Sequence, residues 1–259
     1  MKPESIKSDY RHWLHILQCP LCYHSPLRDS NLLRDSNPLQ KNSATTLYCS
    51  QCEQRYPATD GIPQLMTDLN ADTRLDEAAY DAMMDVNLKS HQTVLDMWTT
   101  VFQQQKISPG DVLEIGCGSG LFTVPLLRMG CKSVHASDIS QVFLQKTQAQ
   151  CPDATLWRCD ANQLPFTDNS FDQIVGHSVL HHFLHYEAML ARCFRMLRPG
   201  GSMIVFEPVL QGKVLIALLA NLIRQTDAQA VTPVLDNADR ENLDRLIKQL
   251  SKHLSLKND

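Results

Sequence analysis

The sequence predicts an α/β protein: a mostly parallel sheet layered between helices, with a small metal-stabilised module in front of it. Three observations carry this expectation. From Asp111 onward, short β-like runs alternate with helical ones. A glycine-rich turn joins the first of these strands to the first of these helices. Two Cys-x-x-Cys pairs stand ahead of them, between Cys19 and Cys52. Alternating strands and helices imply right-handed βαβ units, and hence a three-layer sandwich with the sheet in the middle. The 259 residues suffice for one medium domain and a small appendage. Their 43% hydrophobic and 20% charged content is that of an ordinary globular chain.

Residues 1–67 hold the module. Cys19-Pro-Leu-Cys22 and Cys49-Ser-Gln-Cys52 are two knuckles separated by 26 residues. Each places two thiolates at one metal corner, and the four complete a tetrahedral Zn²⁺ site. A closed site of four thiolates is structural, and a segment this short needs the metal to fold. The expectation is a four-cysteine zinc ribbon over 1–67, with structural Zn²⁺ on Cys19, Cys22, Cys49 and Cys52. The remaining cysteines (Cys117, Cys131, Cys151, Cys159, Cys193) lack knuckle spacing and read as small buried hydrophobes.

Residues 68–110 read as a helical linker or lid. Leu75, Ala78, Ala79, Met83 and Val86, then Val94, Leu95, Trp98 and Phe102, recur mostly three and four residues apart, until Ser108-Pro109-Gly110 breaks the pattern. The strands follow at Val112–Ile115, Ser133–Ser137, Thr155–Cys159, Gln173–Gly176 and Ser202–Phe206. Helices lie between them near Leu121–Met129, Gln141–Gln150 and Tyr186–Leu197. Arg198-Pro199-Gly200-Gly201 is a helix stop and a tight turn into the fifth strand. After Pro208 strand signals cease, and residues 211–259 read as a helical tail. One helix spans Val214–Arg224. Another spans Asn237–Leu254, capped by Asp236, with Leu243, Leu246, Ile247, Leu250 and Leu254 on one face.

Glu114-Ile-Gly116-Cys-Gly118-Ser-Gly120 follows a strand and opens a helix, where glycines let the backbone turn sharply and approach a ligand. A dinucleotide fingerprint would need a glycine at position 121, which is Leu121. A phosphate-binding P-loop would need Gly-Lys-Ser/Thr, which is absent. An acidic residue before the first glycine repels phosphate and suits a ligand that carries an amine and a sulfonium.

Val112-Leu-Glu-Ile-Gly-Cys-Gly-Ser-Gly120 resembles the first motif of class I methyltransferases that use S-adenosylmethionine (SAM). Four further segments are similar in order and spacing: Ser137-Asp138-Ile139-Ser140; Asp160-Ala161-Asn-Gln-Leu164-Pro165-Phe166; Phe171-Asp172 through His177-Ser-Val-Leu-His181-His182-Phe183; and Leu197-Arg-Pro-Gly-Gly201. Together they span about residues 110–208. The resemblance implies a Rossmann-like SAM-binding domain over 111–210. It implies that Asp138 accepts the ribose hydroxyls, that Ile139 packs on adenine, and that Asp160 and the Ala161 N–H pair with its polar edge. The backbone of Gly116, Gly118 and Gly120 would surround the methionine part, Glu114 would orient the loop or hold the amine through water, and His177 would line the pocket. The stretch from Gln54 to Met66 is similar to the end of zinc-ribbon proteins that activate methyltransferases, and to ribbons fused to some rRNA guanine methyltransferases. Cys52 stands where the latter pattern has a histidine.

Methyl transfer from SAM is largely alignment of nucleophile, methyl carbon and sulfur. An oxygen or nitrogen nucleophile also needs a base. His181 and His182, in a cluster with His177 and His185, are the candidates, and Tyr80 and Asp81 are candidate covers of the pocket. The family sheet ordinarily closes with a hairpin of strands six and seven. No alternating run after Phe206 supplies it, so the sheet is expected to stop short, with an open edge or apolar helix face available for a homo-oligomer. The expected function is a methyltransferase for a small-molecule acceptor. The alternatives are an RNA base methyltransferase with the ribbon as RNA clamp, and a SAM-binding scaffold without turnover. A net charge of -4, with no Lys/Arg-rich run in residues 1–67, disfavours RNA. The ten-residue apolar run Val214–Ile223 falls short of the roughly 20 residues of a bilayer span, and the polar start suggests a cytoplasmic chain.

Overall fold

The computed structural model describes residues 9–29, 46–67, 91–105, 107, 109–182, 186–207, 210–230, 232 and 234–255. Its first compact unit, Met1–Phe206, is built on one nine-stranded sheet. Strands β1 (Arg28–Asp29), β2 (Thr46–Tyr48), β3 (Arg55–Thr59) and β4 (Ile62–Leu65) pair antiparallel in sequence order. The β3–β4 hairpin turns on Asp60-Gly61, both at positive φ, which is the two-residue turn that matches strand twist.

The parallel part comprises β5 (Asp111–Ile115), β6 (Ser133–Asp138), β7 (Thr155–Cys159), β8 (Phe171–His177) and β9 (Leu197–Phe206). The full order is β1-β2-β3-β4-β7-β6-β5-β8-β9. Strand β4 runs parallel to β7, with Gln64 opposite Arg158 and Leu65 opposite Cys159. The cysteine-bearing module is thereby an extension of the main sheet. The zinc-ribbon reading of residues 1–67 does not reveal this, because Ile62-Pro-Gln-Leu65 shows no alternation; all four residues are buried.

Period-two alternation sorts each central strand between two cores. Leu113, Ile115, Trp157 and Ile174 face one side, together with Tyr10, Ile16, Leu17 and Tyr56 of the module. Met189, Cys193 and Met196 of α4 (Tyr186–Met196) pack there as well. Val112, Val134, Ala136, Leu156 and Val175 face the other side. They meet Phe102 of α1 (His91–Gln104), Leu126 of α2 (Thr123–Arg128) and Leu144 of α3 (Gln141–Gln150). The three-layer arrangement is therefore as expected from the alternation. Helix α3 begins on Ser140, whose hydroxyl accepts from the Phe143 N–H.

Several boundaries differ from the sequence reading. A short 3₁₀ helix, Tyr10–Ile16, opens the module, capped by Asp9. Strand β9 begins at Leu197 with a register shift opposite Phe171 and Gln173, so Arg198 to Gly201 belong to the strand and not to a separate turn. The bulge is possible because Gly200 takes a positive φ and Gly201 has no room for a side chain beside the Asp172 carbonyl.

One buried histidine shows how the module is locked to the sheet. His135 on β6 is fully buried, and Trp13 of the 3₁₀ helix meets it edge-on at 4.5 Å between ring centres. The Trp157 indole N–H donates to His135 Nδ1 at 3.2 Å. Nε2 must then carry the proton and donate to Ser133 Oγ at 3.1 Å, which in turn donates to Asp111 at 2.8 Å. Burial pushes the imidazole down to about 3, so it stays neutral.

The second compact unit, Glu207–Asp259, holds α5 (Leu210–Gln229) and α6 (Asn237–Ser255). Asp227 ties the two: it accepts from the Val234 and Leu235 N–H groups and pairs with Arg240. Asp236 caps α6 through the Asp239 N–H, as the sequence suggests. Among the described residues no strand follows β9. None of their helices is long and apolar enough to cross a membrane.

Candidate cofactor and metal sites

The glycine turn leaves the carboxyl end of β5 and enters α2. Gly116, Gly118 and Gly120 all adopt positive φ (68°, 52° and 93°), which a side chain would strain. A Cβ at Gly116 would lie 3.0 Å from Val179 and one at Gly120 would lie 3.3 Å from Thr147 Oγ1, so either neighbour would have to give by a few tenths of an ångström. The turn is held from below. The Cys117 N–H donates to the Ser137 carbonyl at 3.0 Å, and Thr147 Oγ1 donates to the Gly118 carbonyl at 2.8 Å.

Asp138 ends β6 directly beside this turn. Its Oδ2 accepts from the Gly118 N–H and its Oδ1 from the Ser140 N–H, each at 2.9 Å. The carboxylate thus joins the glycine turn to the start of α3. Ile139 follows, half-buried, its carbonyl accepting from Arg158 Nε at 2.8 Å. At the end of β7, Asp160 Oδ1 accepts from the Asn162 N–H at 2.8 Å and caps a one-turn 3₁₀ helix, Ala161–Gln163. Ala161, first in that turn, has its N–H among the orphan donors of a helix start.

Glu114 is buried under the turn and accepts from Thr123 Oγ1 at 2.6 Å. Burial, with Asp138 nearby, pushes its carboxyl up to about 8. The residue is therefore mostly protonated at neutral pH.

His177 ends β8 and packs between Phe122 (4.8 Å) and Trp98 (5.3 Å), with Phe206 of β9 5.0 Å from Trp98. Leu180–His182 form a 3₁₀ turn in which His182 is exposed. The side chain of His181, and all of Tyr80, Asp81 and His185, lie outside the described residues.

The four module cysteines converge. All four sulfurs lie within 4.8 Å of one another, with Cys19–Cys52 at 3.6 Å and Cys22–Cys49 at 3.5 Å. A tetrahedron with Zn–S bonds of about 2.3 Å has edges of about 3.8 Å, so the cage fits that ion. The knuckles are matched: Tyr23 and Glu53 donate back to the Cys19 and Cys49 carbonyls, both at positive φ. The buried Tyr56 hydroxyl, 3.0 Å from Cys19 Sγ, is placed to donate to a thiolate.

Residues 113–205 match the family described as a methyltransferase domain. Over these residues the chain carries a methyltransferase domain. Ahead of it, residues 12–61 match the family described as Trm112p-like protein. A ubiquinone biosynthesis O-methyltransferase of Rhizobium rhizogenes is 36% identical over 97 residues, 36% of this chain and 39% of the relative. A demethylmenaquinone methyltransferase of Tropheryma whipplei is 34% identical over 99 residues, 38% of this chain and 41% of the relative. The chain thus spans less than half the length of these curated relatives. Among solved structures, a SAM-dependent methyltransferase from Mesorhizobium loti is 25% identical and covers 37% of this chain and 44% of its own, with a TM-score of 0.35.

The methyltransferase domain brings Glu114, Gly116, Gly118, Gly120 and Asp138 into one hydrogen-bonded corner. It sets Ile139, Asp160 and Ala161 on the neighbouring strand ends. Sequence reasoning missed Thr147, Arg158 and Gln64, which hold the corner from behind. Their partners lie 19 to 94 positions away, so no short motif marks them.

Proposed function

We propose that the chain transfers a methyl group from SAM to a small-molecule acceptor, with structural Zn²⁺ in the N-terminal cage. The observation that carries this reading is the Asp138 corner: a carboxylate at the end of β6, hydrogen-bonded to a turn of three left-handed glycines. Bound SAM supplies a methyl group already activated on sulfonium. The chain's task is to hold and align it. Asp138 accepts the ribose hydroxyls, Ile139 covers one adenine face, and Asp160 and the Ala161 N–H pair with the adenine edge. The glycine turn admits the methionine part closely, and Glu114 balances its cationic groups.

The acceptor side is furnished by Trp98, His177 and Phe206, all half-buried beside the ends of β8 and β9. Such a wall favours a flat, largely apolar acceptor. The names of the Rhizobium and Tropheryma relatives support the same class. His182, exposed on its 3₁₀ turn, is the candidate base together with His181. A second reading, SAM binding without turnover, is favoured by one observation: among the described residues β9 has no outer neighbour.

Calorimetry with S-adenosylhomocysteine, followed by transfer of labelled methyl from SAM to a panel of phenols, quinols and RNA, tests both readings. Binding with transfer to a ring acceptor is expected. Asp138→Ala should weaken binding by about 1–3 kcal/mol, the cost of losing a charged hydrogen bond. Binding without transfer to any acceptor selects the second reading, and no binding rejects both.

A further inference from the structure

We propose that Gln64, on the last strand of the cysteine module, positions the adenosine half of the SAM site; this rests on the cofactor reading above. Gln64 is 2% exposed. Its Oε1 accepts from Arg158 Nη1 at 2.9 Å, and Arg158 Nε donates to the Ile139 carbonyl at 2.8 Å. Its Nε2 donates to the Ile62 carbonyl at 2.8 Å and to Gln141 Oε1 at 2.9 Å. Ile139 and Gln141 flank Ser140, whose N–H is bound by Asp138. One buried amide thus grips the Asp138–Gln141 turn at both ends, through Arg158 on one side and directly on the other.

The chemistry explains why this residue type is needed. An amide offers an acceptor to the guanidinium and two N–H donors, and all are used in one buried place. Removing it leaves the Arg158 fork without one of its acceptors and frees the turn to shift. Displacement of the ribose acceptor by a fraction of an ångström is enough to lengthen its hydrogen bonds. The module also braces the adenine segment. The Thr167 N–H donates to the Ile16 carbonyl at 2.8 Å, the Gln18 N–H donates to the Pro165 carbonyl at 2.9 Å, and Thr67 Oγ1 donates to Gln163 Oε1 at 3.2 Å. The module is therefore part of the cofactor site's scaffold, with Gln64 as its positioning residue.

The test measures the affinity of full-length variants for S-adenosylhomocysteine and for 5′-methylthioadenosine, which lacks the amino-acid half. Gln64→Ala should weaken both ligands by the same factor, about tenfold, the scale of one hydrogen bond to a charged group. Gln64→Glu keeps an acceptor for Arg158 but loses the N–H donors to the Ile62 carbonyl and Gln141, so it should weaken both ligands less than Gln64→Ala does. Gln64→Ala should cost less in the Arg158→Ala background than in the unaltered chain, because only the direct contact with Gln141 is then left to lose. If Gln64→Ala does not fold, Arg158→Lys, which cannot reach both acceptors, should still weaken both ligands several-fold. Undiminished affinity in Gln64→Ala, or equal losses in Gln64→Ala and Gln64→Glu that follow a fall in melting temperature, overturns the positioning role. Absence of binding in the unaltered chain refutes the cofactor reading and the relay with it, whereas binding that only Asp138→Ala abolishes refutes the relay alone.

Discussion

Replacing Glu114 by glutamine should flatten the pH dependence of folding stability between pH 5 and 8. In the folded chain Glu114 is buried and its carboxyl is pushed from 4.5 up to about 8. The sign follows from proton counting. Between those two values the unfolded chain has lost this proton and the folded chain has kept it. Folding therefore takes up a proton, and stability falls as pH rises. The slope from one such group is at most about 1.4 kcal/mol per pH unit, so several pH units amount to a few kcal/mol. Above pH 8 both states are ionised and the contribution levels off. Glutamine keeps the shape and the acceptor for Thr123 Oγ1, 2.6 Å away in the parent, but cannot ionise. Urea titrations at pH 5, 6, 7 and 8 measure the difference directly, since the buffer affects both proteins alike. The variant should gain on the parent as pH rises. Parallel profiles for the two proteins would refute the buried-proton account. The same reasoning expects SAM to draw a proton off Glu114 near neutrality, visible as a binding enthalpy that varies with the buffer's ionisation heat.

Two further outcomes are expected. Elemental analysis should find one Zn²⁺ per chain, and chelation or Cys22→Ser should open residues 9–67 to protease; unchanged protease resistance in metal-free protein would remove the structural role of the cage. Trp157→Phe should cost about 1–3 kcal/mol in chemical denaturation, because it strips the buried His135 Nδ1 of its donor; a loss below 0.5 kcal/mol, on the order expected for a surface change, would show that the bond at 3.2 Å contributes little.

Much of the fold was legible because its signals are local. Each strand of the parallel set is a short apolar run bounded by turn residues, and each expected strand lies inside an observed one, from Val112–Ile115 within β5 to Ser202–Phe206 within β9. The β9 start was misjudged because Arg198-Pro-Gly-Gly201 carries turn chemistry, while tertiary pairing with β8 draws it into the sheet as a bulge. Helix α5 runs from Leu210 to Gln229, beyond the apolar stretch that announced it, because its later turns are polar on the surface side. In the site, the glycine turn and Asp138 announce themselves by motif. His177 was read as a pocket residue, and its packing against Trp98 and Phe122 depends on a helix some 80 positions earlier in the chain, a separation no motif spans.

The sequence by itself determined what depends on a few neighbouring residues: the period-two strands, the glycine turn at positive φ, the knuckle spacing that lets four thiols converge, and the Asp236 cap. The tertiary structure alone decided which strand stands beside which. Placing β4 against β7 sets Gln64 opposite Arg158, residues 94 positions apart, and so ties the cysteine module to the cofactor corner. It likewise put Trp13 on His135 and made Glu114 a buried acid. Hydrogen bonds and desolvation act over a few ångströms of space, whatever the separation along the chain, and only the folded topology brings such distant residues within that range.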